Sequence, residues 1–259
     1  MLTRQRDGAV LRLVMDMPER LNALSDAMLA ELAGALDDLH DDSETRVVVL
    51  SGTGRAFCAG HDLKEMQAHR GDPDGGAAAW LDLFTRCGGI MQEIARVPQP
   101  VIAQVHGVAA AAGCQLVASC DMAIAAEGTR FGVNGVNIGL FCSTPMVALT
   151  RVMPRKAVFE MLTTGRLIDA DEARGLGLVN RVVPADALAE ETMALARTVA
   201  AKLGSAVRVG KRAFYEQAEM DLSRAYDHTG QVMVRNMLDA DTDEGIAAFL
   251  DKRSPDWAQ

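Results

Sequence analysis

Aromatic side chains and long apolar runs are scarce in this 259-residue chain, and its 26 Lys and Arg residues are outnumbered by 35 Asp and Glu residues. Phe, Trp and Tyr together make up 4% of the residues, so the core has to be built from aliphatic side chains. The net charge of −9 argues against nucleic acid or an anionic membrane as the main partner. No stretch approaches the roughly 18 consecutive apolar residues that suggest a membrane span. An anionic small ligand stays possible, because main-chain amides can hold it locally against the net charge.

Disulfide and metal patterns are missing as well. The five cysteines are odd in number and form no CxxC pair, which is typical of free thiols in a reducing compartment. The five histidines are dispersed along the chain, so we predict no metal site. The apolar run near the N-terminus is too short and interrupted for a signal peptide. Together these features predict a cytoplasmic protein.

Strand and helix patterns alternate over the first half of the chain. Alternating or continuous apolar runs predict strands, and apolar residues at helical spacing predict helices. The predicted strands cover residues 8–16, 46–52, 100–107 and 121–127, and the predicted helices cover 24–42 and 78–97. Such alternation indicates crossover units and a largely parallel sheet. Residues 70–79 are interpreted as a long flexible loop.

The C-terminal part of the chain has a different pattern. Residues 185–252 are predicted to be helical almost throughout. This region is too thin to bury its apolar side chains by itself. We therefore expect it to pack on the core or on a partner subunit.

Two loops rich in small residues carry the clearest functional signal. GRAFCAGHDLKEM at 54–66 and HGVAAAAGCQL at 106–116 each follow a buried strand and run into a helix. Ligands of open α/β sheets bind at the carboxyl ends of the strands. Two such loops can each direct a backbone N–H at one point, and a helix N-terminus adds partial positive charge there. The pattern therefore predicts an oxyanion hole.

These motifs, with PERLNALS at 18–25, RFG at 130–132 and GLVNRVVP at 177–184, resemble the enoyl-CoA hydratase/isomerase (crotonase) superfamily over essentially the whole chain. The resemblance implies an α/β fold with a crotonase, ClpP-like ββα spiral core over residues 1–190. A helical C-terminal trimerisation region would follow over 191–259. The implied ligand is an acyl-CoA thioester, with no cofactor besides the coenzyme A of the substrate. The implied assembly is a homotrimer or homohexamer.

The resemblance also assigns roles to particular residues. The backbone N–H groups of His61 and Ala112 correspond to the two oxyanion donors, with the thioester carbonyl between them. The family often has glycine at the Ala112 position, but the donor is the amide, so a methyl group need not abolish the hole. The backbone of the loop that begins at His61 would meet adenine and pantetheine. The implied substrate-binding residues are Ala59, His61, Asp62, Leu63, Lys64 and Ala112.

Both catalytic glutamates of the family's hydratases are replaced. The first maps to Gln115, which has no useful pKa, and the second maps to Gly135, which has no side chain. A positioned general acid or base contributes roughly 10²–10⁴-fold, so classical hydration should be very weak or absent. Three functions stay open: enolate chemistry of the hydratase/isomerase class, hydrolysis or decarboxylation of a thioester, and acyl-CoA binding without catalysis.

Several other residues are candidates for proton transfer or ligand contact. The side chain of His61 lies on the oxyanion loop, although the backbone alone could explain its position. Asn134 and Asn137 flank the lost glutamate and could orient a carbonyl or a water. We interpret the rest as structural: Arg86 and Glu93 as a solvated helix face, Cys142 and Ser143 as a buried thiol and a helix cap, Cys58 and Cys114 as packing residues, and Lys211, Arg212 and Lys252 as exposed helix cations.

Overall fold

The computed structural model describes residues 1–257 and contains a six-stranded sheet with a smaller sheet beside it. The large sheet has the order β1–β2–β3–β4–β6–β9, and all its neighbours are parallel except the β1–β2 hairpin. Its strands are β1 (Leu2–Asp7), β2 (Val10–Met15), β3 (Val47–Gly52), β4 (Val101–Val105), β6 (Met122–Ala126) and β9 (Arg181–Val183). The largely parallel sheet predicted from the sequence is confirmed.

The smaller sheet consists of β5 (Val108–Ala110), β7 (Arg130–Gly132) and β8 (Leu167–Asp169). β5 and β7 are parallel, and β7 and β8 are antiparallel. β5 belongs to the second small-residue loop, so this sheet fixes one side of the predicted site.

Eleven α-helices are present in residues 1–257. They are α1 (Asp26–Asp37), α2 (Leu63–Ala68), α3 (Ala77–Arg96), α4 (Ala112–Ser119), α5 (Pro145–Val152), α6 (Arg155–Thr164), α7 (Ala170–Gly175), α8 (Leu188–Ala200), α9 (Gly204–Ala218), α10 (Leu222–Met237) and α11 (Ala240–Leu250). The helical C-terminal region is therefore confirmed. No described helix is both long enough and apolar enough to cross a membrane.

Capping and amphipathic spacing explain where α1 forms. The Ser25 hydroxyl accepts a hydrogen bond from the Met28 amide at 3.2 Å and caps the helix. Its buried face is aliphatic and consists of Met28, Leu29, Leu32, Ala35 and Leu36. This face joins the main core, in which Phe57 and Phe131 are the largest fully buried side chains. The core therefore consists mainly of Leu, Ile, Val, Met and Ala, as the small number of aromatic residues predicted.

Helix α8 covers the other face of the large sheet. Met193 and Ala196 pack there with Val47, Val49 and Ile102 in a separate apolar cluster. The helix begins at Leu188 and crosses the predicted boundary at residue 190. That boundary stays a prediction.

Two local predictions differ from the structure. The strand predicted at 8–16 is the second arm of a hairpin, because the polar sequence of β1 hides its pairing with β2. The predicted loop at 70–79 is partly helical: a 3₁₀ turn covers His69–Gly71 and α3 already begins at Ala77. Asp74 stabilises the start of α3, because its carboxylate accepts hydrogen bonds from the amides of Gly76 and Ala78 at 3.0 and 2.8 Å.

Lys211 is buried, which corrects its assignment as an exposed helix cation. Its ammonium group donates to the carbonyls of Ile94 and Gln99 at 2.7 and 2.9 Å and to the carboxylate of Asp121 at 2.8 Å. The Tyr215 hydroxyl also donates to Asp121, at 2.8 Å. Burial lowers the pKa of Lys211, and the Asp121 carboxylate opposes that shift. This network ties α9 to the end of α3 and to the sheet.

Candidate active site

The two small-residue loops lie directly against each other. The Cys58 amide donates to the Val108 carbonyl at 3.2 Å, and the Ala110 amide donates to the Cys58 carbonyl at 3.0 Å. Gly60 has a φ of +100°, and a methyl group there would lie 3.0 Å from Ala111 Cβ and 3.4 Å from the Ala112 nitrogen. Glycine therefore lets the first loop approach the second to backbone contact.

The amides of His61 and Ala112 both lack an acceptor within residues 1–257. The neighbouring amides are used: Ala59 donates to Leu21 and Ala111 donates to Gly132. Neither His61 nor Ala112 makes such a backbone or side-chain bond among the described residues. Ala112 is the first residue of α4, where a helix leaves its first N–H groups without intrahelical partners. Both groups lie at the wall of one cavity, where a ligand oxygen can accept from them.

Ala111 holds the turn before Ala112 in a strained conformation. Its φ is +48° and its ψ is −117°, a combination that favours glycine. Such backbone costs about 1–3 kcal/mol and is concentrated at functional sites. The strained turn sets the direction in which the Ala112 amide points.

The cavity has a volume of about 720 Å³. Most of its wall is apolar, including Leu21, Met66, Phe84, Leu140 and Phe141. The predicted site residues on its wall are Ala59, His61, Asp62, Leu63, Lys64, Ala112 and Gly135. The segment 138–145 forms a wall that was not predicted, although its apolar run GLF just after a lost catalytic position is a usable signal.

Gln115 is not on the cavity wall. Its side chain is 3% exposed, and its Oε1 has no hydrogen-bond partner among the described residues. Gln115 lies within α4. The Ser119 hydroxyl donates to the backbone carbonyl of Gln115 at 2.8 Å, and it does not contact the Gln115 side-chain oxygen. The position predicted to face the substrate as the counterpart of a catalytic acid is therefore part of the packed interior.

Gly135 lines the cavity but leaves no room for a side chain. A methyl group there would overlap the Leu140 carbonyl oxygen and lie 2.8 Å from Cys142 Sγ. The Leu140 amide donates to the Gly135 carbonyl at 3.0 Å, which closes the loop tightly on this residue. The replaced glutamate is thus accompanied by a loop conformation that excludes one.

Charged side chains surround the cavity at its rim. Arg20 contacts Asp62 at 3.1 Å and Glu65 at 3.4 Å. Asp62 also caps α2, since it accepts from the Lys64 amide at 2.9 Å. Arg55 and Lys64 lie on the cavity wall and are exposed. Cationic groups are therefore available at the entrance of a strongly acidic protein.

The His61 ring lies between Leu24, two residues before α1, and Phe84 on α3. Its Nδ1 lies 3.5 Å from the Leu24 carbonyl, and the ring makes an edge contact with Phe84 at 5.7 Å between centroids. Its Nε2 is shielded from solvent and has no partner among residues 1–257. Burial lowers the pKa of His61, and the Leu24 carbonyl partly opposes this. The ring is therefore neutral at neutral pH.

The remaining candidates are divided between the cavity and the surface. Asn134 and Asn137 both lie on the cavity wall. The Asn134 side chain has no partner in the described part of the chain, and Asn137 donates to the Gly165 carbonyl at 3.5 Å. Arg86 and Glu93 are outside the cavity wall: Arg86 pairs with Asp26 and Asp82, and Glu93 with His40.

Cys142 and Ser143 both line the cavity. Burial raises the pKa of the Cys142 thiol, so it is a poor nucleophile. Ser143 does not cap α5, because its hydroxyl donates to the Phe141 carbonyl at 3.4 Å. All five cysteines are free thiols, as predicted, and all five are buried.

Comparison with known proteins identifies the family. The family model described as Enoyl-CoA hydratase/isomerase matches residues 5–259, and the chain belongs to this family. The fold is accordingly the crotonase-type fold that the motifs predicted. In sequence, the chain is 48% identical over 257 residues to human enoyl-CoA hydratase domain-containing protein 3, mitochondrial, covering 98% of this chain and 82% of that protein.

Two solved structures are particularly similar. An enoyl-CoA hydratase from Mycobacterium smegmatis superposes with a TM-score of 0.95 at 51% identity, covering 100% of this chain and 99% of that one. The human enoyl-CoA hydratase domain-containing protein 3 superposes with a TM-score of 0.94, covering 99% of both chains, at 44% identity in that structural alignment.

The predicted cytoplasmic location is contradicted by these comparisons. The human, rat and mouse relatives are all named mitochondrial. The prediction rested on free thiols and on an N-terminal apolar run too short for a signal peptide, and neither observation separates one reducing compartment from another.

Proposed function

We propose that this protein binds acyl-CoA thioesters and stabilises a thioester enolate with the main-chain amides of His61 and Ala112. The observation that carries the proposal is that both N–H groups lie at the wall of one cavity and have no acceptor among residues 1–257. Negative charge develops on the thioester oxygen when a proton leaves the adjacent carbon. One preorganised donor is worth about 2.7–4 kcal/mol to such a transition state.

The surroundings of the two amides support an anionic ligand. The N-terminus of α4 contributes partial positive charge beside Ala112. Arg20, Arg55 and Lys64 at the rim offer cations to the phosphates of coenzyme A. The apolar wall, with Phe84 and Phe141, suits the acyl group. No cofactor is needed besides the coenzyme A of the substrate.

We further propose that classical hydration of an enoyl-CoA is very weak. Syn-hydration needs one group to activate water and one to protonate carbon. Gln115 is buried away from the cavity wall, and Gly135 has no space for a carboxylate. Rapid turnover of crotonyl-CoA by the purified protein would contradict this.

A panel of acyl-CoA thioesters followed by mass spectrometry tests the proposal. We expect binding of acyl-CoA and chemistry confined to the carbon next to the thioester. Gain of one water would indicate hydration, loss of carbon dioxide would indicate decarboxylation, and free coenzyme A would indicate hydrolysis. Tight binding without any change would favour a non-catalytic acyl-CoA-binding protein, and absence of binding would refute the proposal as a whole.

We also propose that the chain assembles as a homotrimer or homohexamer through its C-terminal region. The support is a set of large apolar side chains that this chain alone leaves exposed on α9–α11: Phe214, Leu222, Tyr226, Met233, Val234, Met237, Leu238, Phe249 and Leu250. Helices with so much exposed apolar surface are typical of interfaces. Sedimentation equilibrium measures the assembly directly, and a monomer at micromolar concentration would contradict it.

A further inference from the structure

A basic depression lies beside the amino-terminal end of β3, and it is lined by the cations Arg46, Lys202 and Arg208. In the described part of the chain, none of the three forms an ion pair. Asp42 and Glu44, the carboxylates nearest to Arg46 in sequence, contact another arginine at 2.8 and 3.6 Å. A chain with 35 acidic residues and a net charge of −9 thus leaves three neighbouring cations without a partner.

The guanidinium group of Arg46 is held at the junction between α8 and α9. Its Nη1 donates to the Lys202 carbonyl at 3.2 Å, and its other two nitrogens have no partner among the described residues. These two nitrogens are not shielded from solvent, and the same holds for the unpaired guanidinium nitrogens of Arg208. Both arginines therefore have N–H donors that a ligand from solvent can reach.

The two guanidinium groups repel each other in surroundings that are partly withdrawn from water. Burial lowers the pKa of Arg46, and the neighbouring Arg208 lowers it as well. Both effects disfavour the charged form of Arg46. Arginine nevertheless stays protonated in proteins, so the repulsion is not relieved by loss of a proton. A bound anion that contacts both guanidinium groups would relieve it.

We propose that Arg46, Lys202 and Arg208 bind a phosphate group, either of inorganic phosphate or of a small phosphate ester. Guanidinium groups match phosphate oxygens with paired N–H donors, and a lysine adds a compact positive charge. A phosphate group carries about −1.5 to −2 charges at pH 7, whereas a carboxylate carries one. Phosphate therefore offsets more of the three positive charges than a carboxylate does.

This phosphate site is separate from the acyl-CoA cavity. Arg46 directly precedes β3, whereas Arg55 on the cavity wall follows the same strand. The six residues of β3 extend about 20 Å, so the two sites lie at opposite ends of the strand. A phosphate bound to Arg46 and Arg208 bridges the sheet and α9. We expect such a bridge to stabilise the attachment of the C-terminal helices to the core.

Isothermal titration calorimetry with inorganic phosphate, AMP and acetate at one ionic strength tests the site. We expect phosphate and AMP to bind the wild type, and acetate to bind about 10-fold more weakly or less. Arg46→Gln and Arg208→Gln each remove charge-assisted hydrogen bonds, so each should weaken phosphate binding about 10-fold or more. The matched control is Arg224→Gln on α10, an exposed arginine without an ion pair among the described residues, which should bind like the wild type.

Thermal unfolding provides a second readout. Phosphate should raise the Tm of the wild type and of Arg224→Gln, and it should leave the Tm of Arg46→Gln and Arg208→Gln nearly unchanged, because binding to the folded state alone stabilises it. Lys202→Gln changes an exposed side chain, so it keeps the test decisive if an arginine variant does not fold. It should also weaken phosphate binding.

Arg55→Gln controls for binding at the cavity rim, where other cations are available. Phosphate that binds Arg46→Gln and Arg208→Gln normally, or that is lost only in Arg55→Gln, would overturn the proposal. Absence of phosphate and AMP binding to the wild type, or equally tight binding of acetate, would overturn it too. Tighter binding of AMP than of phosphate would support a phosphate ester as the ligand, and equal Kd values would support recognition of the phosphate group alone.

Discussion

The amides of His61 and Ala112 beside the cavity differ from the Lys211 ammonium group on α9 in whether their N–H donors have acceptors. Lys211 uses all three of its N–H groups, on two carbonyls and on Asp121. His61 and Ala112 keep their amides without any acceptor among residues 1–257. Buried donors are nearly always paired in folded proteins. We therefore interpret the paired donors of Lys211 as structural. We interpret the unpaired amides of His61 and Ala112 beside the cavity as a ligand site.

The largest effect is expected from breaking the paired cluster. Lys211→Met leaves the Asp121 carboxylate buried without its cation, and loss of one partner of a buried pair costs about 3–5 kcal/mol. Urea denaturation followed by circular dichroism measures the change. The control is Arg212→Met, the next residue on α9, whose exposed ion pair with Glu216 should contribute little. Equal stability of the two variants would show that the Lys211 network is not structural.

Removal of an unpaired donor should affect catalysis and leave stability nearly unchanged. Replacement of Ala112 by lactic acid converts its amide to an ester and deletes only the N–H. We expect α-proton exchange of butyryl-CoA in D₂O, followed by NMR, to fall about 10²–10³-fold, since one oxyanion donor is worth that much. The same replacement at Ala189, which is exposed at the start of α8, should change nothing. An unaltered exchange rate for the Ala112 ester would exclude this amide from the oxyanion hole.

The family motifs and the structure lead to different predictions for a variant that carries both family glutamates. If the two carboxylates were all that hydration lacks, Gln115→Glu with Gly135→Glu would gain hydratase activity. The structure predicts no gain, and a loss of about 1–3 kcal/mol in stability from overpacking at Gly135. Crotonyl-CoA turnover and thermal unfolding measure both effects.

Gly88→Ala is the matched glycine control, because a methyl group at Gly88 on α3 meets no atom of the described residues within 4 Å. It should unfold at or above the wild-type temperature, since helical glycine costs about 0.5–1 kcal/mol relative to alanine. A stable, hydrating double-glutamate variant would show that the loop at Gly135 adapts readily.

The smallest expected effect concerns the strain before the second donor. Ala111→Gly should stabilise the protein by about 1 kcal/mol, because glycine tolerates a φ of +48°. Ala118→Gly, inside α4, should have the opposite effect and lower the free energy of unfolding by about 1 kcal/mol. Chemical denaturation of both variants checks the pair, and a destabilised Ala111→Gly would mean that Ala111 is not strained.

Periodicity and spacing predicted the parallel sheet, the helical C-terminal region and the loops that carry His61 and Ala112. These features depend on local patterns, such as a buried run followed by small residues. Side-chain direction was not predictable in the same way. Lys211 was expected on the surface, because a local pattern does not show that its partner Asp121 lies 90 residues away. Gln115 was expected at the substrate, because a local pattern does not show how α4 packs.

The tight fit around Gly135 also bears on how this protein could change over generations. Any substitution there must coincide with movement of Leu140 and Cys142, because the space for even one extra carbon is occupied. A carboxylate could therefore not return by one substitution and be kept for its benefit. A variant changed only at Gly135 would lose about 1–3 kcal/mol of stability before it gained a reaction, which disfavours a paired-carboxylate enzyme that arises through this position first.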